Sequence, residues 1–258
     1  MTLGANTAMQ RLCAWAAPGC TLFFFGGFMI SGYLFPPDPM RSAEATAAFY
    51  AENAASIKTG LVLMCLAGGL WIIYSAAVSV QMMRIEGRYP VLALAQLGLA
   101  TCACIEFIQP VYVWLTAAYR PRSPEIQLML NDMGWLPFDG WVWTIIWQNA
   151  AIGLAVILDK RPEPVFPRWY GYLCFWAALL YLPAGTNVFF KDGPIAWNGI
   201  ISWWLLIIDI FAWVMITFFL LLRAIRRQEA EGPAAGGDVE QRLAALERRL
   251  AAGTDVSA

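Results

Sequence analysis

The chain has 258 residues, 60% of them hydrophobic and 14% charged, with a net charge of −1 and no histidine. A soluble globular chain carries about 25% charged residues, so this composition argues against one. The near-neutral balance offers no basic face to a nucleic acid, and the lack of histidine removes the commonest metal ligand and near-neutral acid–base group.

Six cysteines are present: Cys13, Cys20, Cys65, Cys102, Cys104 and Cys174. None forms a CxxC pair, and all lie in or beside apolar runs, where a reduced cysteine behaves as a small hydrophobe. No metal site and no cofactor is expected. The charges fall in clusters separated by apolar runs of roughly 20 residues, the length that crosses a bilayer as a helix.

In chain order, six runs can each span as a helix with its backbone satisfied internally: residues 13–35, 57–83, 91–119, 138–158, 169–190 and 197–222. The expected fold is an all-α polytopic membrane bundle of six transmembrane helices over residues 1–227. The first run is longer than a signal-peptide core, and Pro36-Pro37-Asp38-Pro39 follows it in place of a small-residue cleavage site, so it reads as a retained helix. One set of ends carries nine Lys and Arg (Arg11, Arg84, Arg88, Lys160, Arg161, Arg168, Arg223, Arg226, Arg227) and the other five (Arg41, Lys58, Arg120, Arg122, Lys191). The positive-inside rule then puts both termini in the cytoplasm.

The two longer loops lie on the other side, and both read as helical. Residues 42–57 are alanine-rich, with Phe49 and Tyr50 available to lie on a membrane surface. Ser123-Pro124-Glu125 reads as an N-cap, a first-turn proline and a first-turn acid. Ile126, Met129, Leu130 and Met133 follow as an apolar stripe at helical spacing, and residues 135–140 are expected to break that helix. These segments would be interfacial helices or lids over an outward-facing cavity.

After Arg227 the sequence changes character. Residues 228–238 form a polar linker. Val239, Leu243, Leu246 and Leu250 then follow the a/d spacing of a coiled coil, over too few turns for a helix stable alone. Residues 239–252 are therefore either a solvated amphipathic helix or a strand of a homo-oligomeric, trimeric coiled coil.

Ionisable groups inside a bilayer are costly and so are candidate functional residues. Glu106 on the third span and Asp209 on the sixth have no lysine or arginine at mid-span to pair with, and both lie about 18 Å below the far end at the helical rise. Gln148 and Asn149 share that depth on the fourth span. Cys102, Glu106, Gln109, Val113 and Thr116 form one stripe of the third helix, and Ser202, Asp209, Trp213 and Thr217 one stripe of the sixth. Both stripes are expected to face the bundle interior. Pro110 above Glu106 should kink the third helix.

Glu106, Gln109, Gln148, Asn149 and Asp209 are thus the candidate ligand- or proton-binding residues. The same groups could instead hold helices together through un-ionised carboxyl–amide hydrogen bonds. Trp114, Trp143, Trp147, Trp203 and Trp204 gather in the far half. They either extend the aromatic belt or, with Trp213, line an apolar pocket; Trp143, Trp147, Trp203 and Trp213 are the candidate pocket aromatics. Asn187, Lys191, Asp192, Asn198 and Ser202 surround the expected tight turn at residues 190–194. No Walker A, GxSxG, HExxH or Rossmann glycine pattern is present, and no inverted repeat is evident.

PRWYGYLCFWAALLYLPAGTNVFFKDGPIAWNGIISWW (residues 167–204) and AAFYAENAASIKTGLVLM (residues 47–64) resemble recurring segments of a family of bacterial six-helix membrane proteins without an established activity. The resemblance implies an inner-membrane setting and carries over no functional residues.

Three functions fit these residues. The first is binding or transport of an apolar or weakly cationic small molecule, coupled to protons through the buried acids. The second is a non-catalytic subunit of a membrane complex. The third is a membrane enzyme acting on a lipid or isoprenoid by acid catalysis, with tryptophan faces stabilising a cation.

Overall fold

The computed structural model describes residues 3–231. Their regular structure is helical, with no strand among them: α1 (Leu3–Ala14), α2 (Ala16–Ser31), α3 (Ala43–Glu86), α4 (Val91–Tyr119), α5 (Pro124–Gly140), α6 (Trp143–Leu158), α7 (Arg168–Tyr181) and α8 (Leu206–Ala230). A 3-10 helix (Ala184–Phe189) follows α7, and one wide π-helical stretch (Ile200–Leu205) leads into α8. Six helical segments among the described residues are long and apolar enough to cross a membrane: Asn6–Ser31, Ala43–Glu86, Val91–Tyr119, Pro124–Leu158, Arg168–Phe189 and Ile200–Ala230. The expected coiled-coil positions Val239, Leu243, Leu246 and Leu250 lie outside the described residues.

Local chemistry sets where these helices start and stop. Pro18 has no N–H for the carbonyl of Ala14, and α1 and α2 meet at Trp15 just before it. Gly32, at φ 75°, closes α2 in the left-handed conformation, donating to the carbonyls of Met29 and Phe28. Ser42 caps α3 by accepting from the N–H of Ala45 at 3.2 Å. The 44 residues of α3 then run unbroken, about 66 Å at the helical rise. The expected surface helix over residues 42–57 is therefore the first third of α3. Tyr50 is buried there, with its hydroxyl donating to Asn131 Oδ1 at 3.3 Å.

The fourth apolar segment departs most from expectation. The helix beginning after Ser123 does not break at residues 135–140 but runs through Pro137 to Gly140. A proline costs one backbone hydrogen bond, and here the flanking Trp135 and Phe138 are held in an aromatic cluster with Trp114 and Trp203. The interruption comes later, at Trp141–Val142, before α6.

Contacts step along α4 in reverse order. Gln127 Nε2 donates to the Ala117 carbonyl at 3.0 Å, Trp135 packs on Trp114, and Phe138 packs on Phe107. Gly134 sits directly against the Trp114 indole, where any Cβ would overlap the ring. Thus α5 and α6 are two halves of one discontinuous segment antiparallel to α4. The α4 helix itself runs through Pro110 uninterrupted.

The polarity of α5 is inverted relative to a water-soluble helix. Gln127, Asn131, Trp135 and Asp139 are buried at four-residue spacing, three of the four polar, whereas Ile126, Met129 and Met133 point outward. The whole bundle repeats this pattern. Gln81, Gln96, Gln148 and Asn149 are buried, while Leu22, Val62, Ile105, Trp147, Trp176 and Phe219 are exposed.

Arg11 pairs with Glu229, and Gln81 Nε2 donates to Gln10 Oε1 at 2.6 Å and Gln228 Oε1 at 2.8 Å. These bonds place the start of the chain and the end of α8 at one end of the bundle, hereafter the terminal end.

Candidate functional site

The bundle encloses a cavity of about 120 Å³. A cavity of roughly 150 Å³ accommodates benzene, so the space suits a molecule of that size. Its walls come from α2, α3, α4, α5, α6 and α8, and Phe24, Trp71, Phe107, Phe138, Trp203 and Phe211 supply aromatic faces. Two acids, Glu106 and Asp139, lie on it. The break between α5 and α6 lies on it too, through Trp141 and Val142. Irregular backbone at this position fits the rule that, within an apolar layer, such backbone lines cavities.

The two acids are held differently. Glu106 projects from the middle of α4 and accepts from the Thr144 hydroxyl of α6. Both residues are half-buried and Trp141 is exposed. Asp139 is fully buried at the end of α5. Its Oδ2 accepts from Asn187 Nδ2 at 3.1 Å, and the same nitrogen reaches the Leu136 carbonyl at 3.2 Å. Asp139 Oδ1 and Asn187 Oδ1 have no partner. A buried carboxyl oxygen without a donor costs free energy and is an acceptor available to a guest. Among the described residues no cationic side chain lines the cavity.

The acids sequence reasoning paired are not brought together. Asp209 is absent from the cavity wall: Ile207, Ile210 and Phe211 carry that face of α8, and at 100° per residue Asp209 turns elsewhere. Its carboxyl faces the Tyr181 hydroxyl of α7 without forming a well-shaped hydrogen bond. The rest of its stripe is buried: Ser202 Oγ donates to the Ile195 carbonyl at 2.6 Å, while Trp213 and Thr217 meet α7, Trp213 Nε1 donating to Cys174 Sγ at 3.5 Å and Thr217 Oγ1 lying 2.7 Å from the Tyr170 hydroxyl.

On α4 the expected polar stripe faces mostly outward. Cys102, Gln109 and Thr116 are exposed, and of that stripe Glu106 alone reaches the cavity. Gln148 and Asn149 are buried in α6 but do not line it; Asn149 Nδ2 donates to its own helix at the Ile145 carbonyl, 3.1 Å away. Among the candidate aromatics, Trp203 lines the cavity. Trp213 packs in the core toward the terminal end, and Trp143 (48% exposed) and Trp147 (64% exposed) point outward. Helical depth is legible from sequence; which azimuth faces a common centre depends on how the helices pack.

Asp139 was missed because Pro137 made its segment read as a loop. The signal that finds it is the row Gln127–Asn131–Trp135–Asp139 at four-residue steps, opposite Ile126, Met129 and Met133.

Together these features define an all-helical bundle, inverted in polarity, around a small aromatic cavity with two carboxyl groups and a broken helix in its wall. No family model, no curated protein and no solved structure matches the chain. Among the described residues no group of three or more His, Cys, Asp or Glu could hold a metal ion.

Proposed function

We propose that this chain is a multi-pass membrane protein, of the bacterial inner membrane and with both termini cytoplasmic, that binds a small apolar or cationic molecule in the aromatic cavity. The inverted polarity and six long apolar segments support insertion, and the excess of Lys and Arg at the terminal end supports the orientation. The observation that carries ligand binding is the pairing of aromatic walls with two carboxyl groups and no cationic side chain on the cavity surface. Aromatic faces attract cations by about 0.5–2 kcal/mol each, and the free Asp139 Oδ1 offers a further acceptor. A small organic ammonium satisfies both features.

The broken fourth segment supports transport over static binding, because discontinuous helices at mid-bundle sites are a transporter device. The Trp141–Val142 break lies in the cavity wall, where a change in backbone torsions would reshape that wall. Coupling to protons through Glu106 and Asp139 belongs to the same reading.

The test compares isopropylammonium, which carries N–H donors, with its uncharged isostere isobutane, using quenching of the cavity tryptophans as the signal. Saturable binding of the cation that is lost in Glu106→Gln/Asp139→Asn, with the neutral isostere binding more weakly, is the expected result. Equal binding of both probes by the wild type and the double variant would overturn a cation site.

A further inference from the structure

A second cavity lies at the end of the bundle opposite the termini, and its chemistry is the reverse of the first. It is a groove of about 540 Å³ between the start of α3 and the turn joining α4 to α5. Its floor is methyl-lined: Ala47, Ala51 and Ala54 follow one another along α3 at helical spacing. Three cations complete it, Lys58 one turn further on the same face and Arg120 and Arg122 from the turn.

Among the described residues no acidic side chain lines the groove. None of the three cations takes part in an ion pair among the described residues. Arg122 Nε is buried with no hydrogen-bond partner, and the Arg120 guanidinium sits over the Tyr119 ring, 5.0 Å from its centroid. These positive groups line one groove with no counter-charge from the described residues.

Their position along the helices narrows what supplies it. Lys58 is the last charge before residues 59–83, which carry none, and Arg120 is the first charge after Glu106 on the third segment. The cations therefore mark the edge of the apolar layer, with an aromatic ring at the same level, where a bilayer places its headgroups.

We propose that this groove binds the headgroup of an acidic phospholipid, its phosphate between Lys58, Arg120 and Arg122, its glycerol headgroup over the alanine floor, and its acyl chains running into the apolar layer beyond Lys58. Guanidinium groups match phosphate oxygens with paired N–H donors. The alanines leave room for a headgroup that larger side chains would displace. The inference rests on the membrane reading above but not on the aromatic cavity.

The experiment follows the thermal midpoint of detergent-purified protein titrated with phosphatidylglycerol, phosphatidylcholine or inorganic phosphate. Phosphatidylglycerol should raise the wild-type midpoint and the other two should not. In Lys58→Gln/Arg120→Gln/Arg122→Gln the apparent affinity should fall about 100-fold, from roughly fivefold per cation. Ala54→Leu, which fills the floor and leaves every charge in place, should weaken the response as well.

An undiminished response in both variants would overturn the proposal. Stabilisation by inorganic phosphate equal to that by the lipid would overturn it in favour of a free-anion site. Alkaline carbonate extraction separates its failure from failure of the membrane reading. Protein that stays in washed membranes yet ignores phosphatidylglycerol sinks the groove alone, whereas protein that washes off sinks the membrane assignment.

Discussion

Asn187 donates through Nδ2 to Asp139 Oδ2 at 3.1 Å, tying the end of α5 to the 3-10 helix that follows α7. Both side chains are fully buried, so this bond fixes the last turn of α5, where Asp139 lines the central cavity. Asn187→Ala would leave the carboxyl of Asp139 with no side-chain partner. The expected cost is about 1–3 kcal/mol of stability, read as a lowered thermal midpoint. Asp139→Asn/Asn187→Ala, which also removes the acid, should recover part of the loss; a double variant no more stable than the single would show that the acid is not the source of the penalty.

Two glycines should respond oppositely to the same change. Gly134→Ala pushes a methyl into the Trp114 indole, and overpacking of this kind costs about 1–3 kcal/mol. Gly98, on an exposed face of α4, has nothing within 4 Å of an added Cβ. Gly98→Ala should therefore be neutral or stabilising by up to about 1 kcal/mol through helix propensity. Thermal midpoints of the two variants in one detergent check the contrast.

Asp159 organises the short α6–α7 connection at the terminal end. Its carboxylate accepts from Arg161 Nε at 2.9 Å, Arg161 Nη2 at 2.8 Å and the Val165 N–H at 2.9 Å. Burial works against its ionisation, but the Arg161 side chain and the Val165 and Arg161 N–H groups outweigh burial and hold it below the usual carboxylate range. A carboxyl depressed on folding contributes stability that is complete above its unfolded pKa, about 3.9, and is lost as pH falls through the lower folded value. Asp159→Asn should cost about 1.5–3 kcal/mol at pH 7, with the gap from wild type closing below about pH 4. A gap of constant size from pH 7 to pH 3 would contradict this.

The terminal end is fastened by interlocked amides. Gln81 accepts from Arg84 Nη1 at 2.6 Å while its own Nε2 serves Gln10 and Gln228, and Arg84 also pairs with Glu231 at 2.6 Å. Gln81→Leu removes the hub and strands a buried partner on α1 and a half-buried one on α8. Hydrogen exchange should accelerate in α1 and the last turns of α8, leaving the middle of α4 unchanged; uniform acceleration would point to global destabilisation instead.

The six apolar segments and the all-helical class were legible in the sequence, because helices of this length answer to a one-dimensional rule: enough consecutive apolar residues to satisfy their backbones without water. Glu106 stood out for the same reason, as an acid amid apolar neighbours. Its partner was misassigned. Asp209 matched Glu106 in depth, but depth is a count of residues, whereas a shared cavity requires matching azimuth and an interior set by packing. Asp139 was hidden by Pro137, which locally signals a break; the aromatic packing of Trp135 and Phe138 against Trp114 keeps the helix intact.

The amino-acid sequence alone thus determined the class of fold, the run of apolar helices and the side chains too polar for their surroundings, since each follows from local hydrophobicity and helical period. Only the tertiary structure decided which of those side chains meet, where the fourth segment breaks, and that Lys58, Arg120 and Arg122 share a groove. Those outcomes depend on the rotation and offset of one helix against another, set by side-chain packing between segments far apart in the chain.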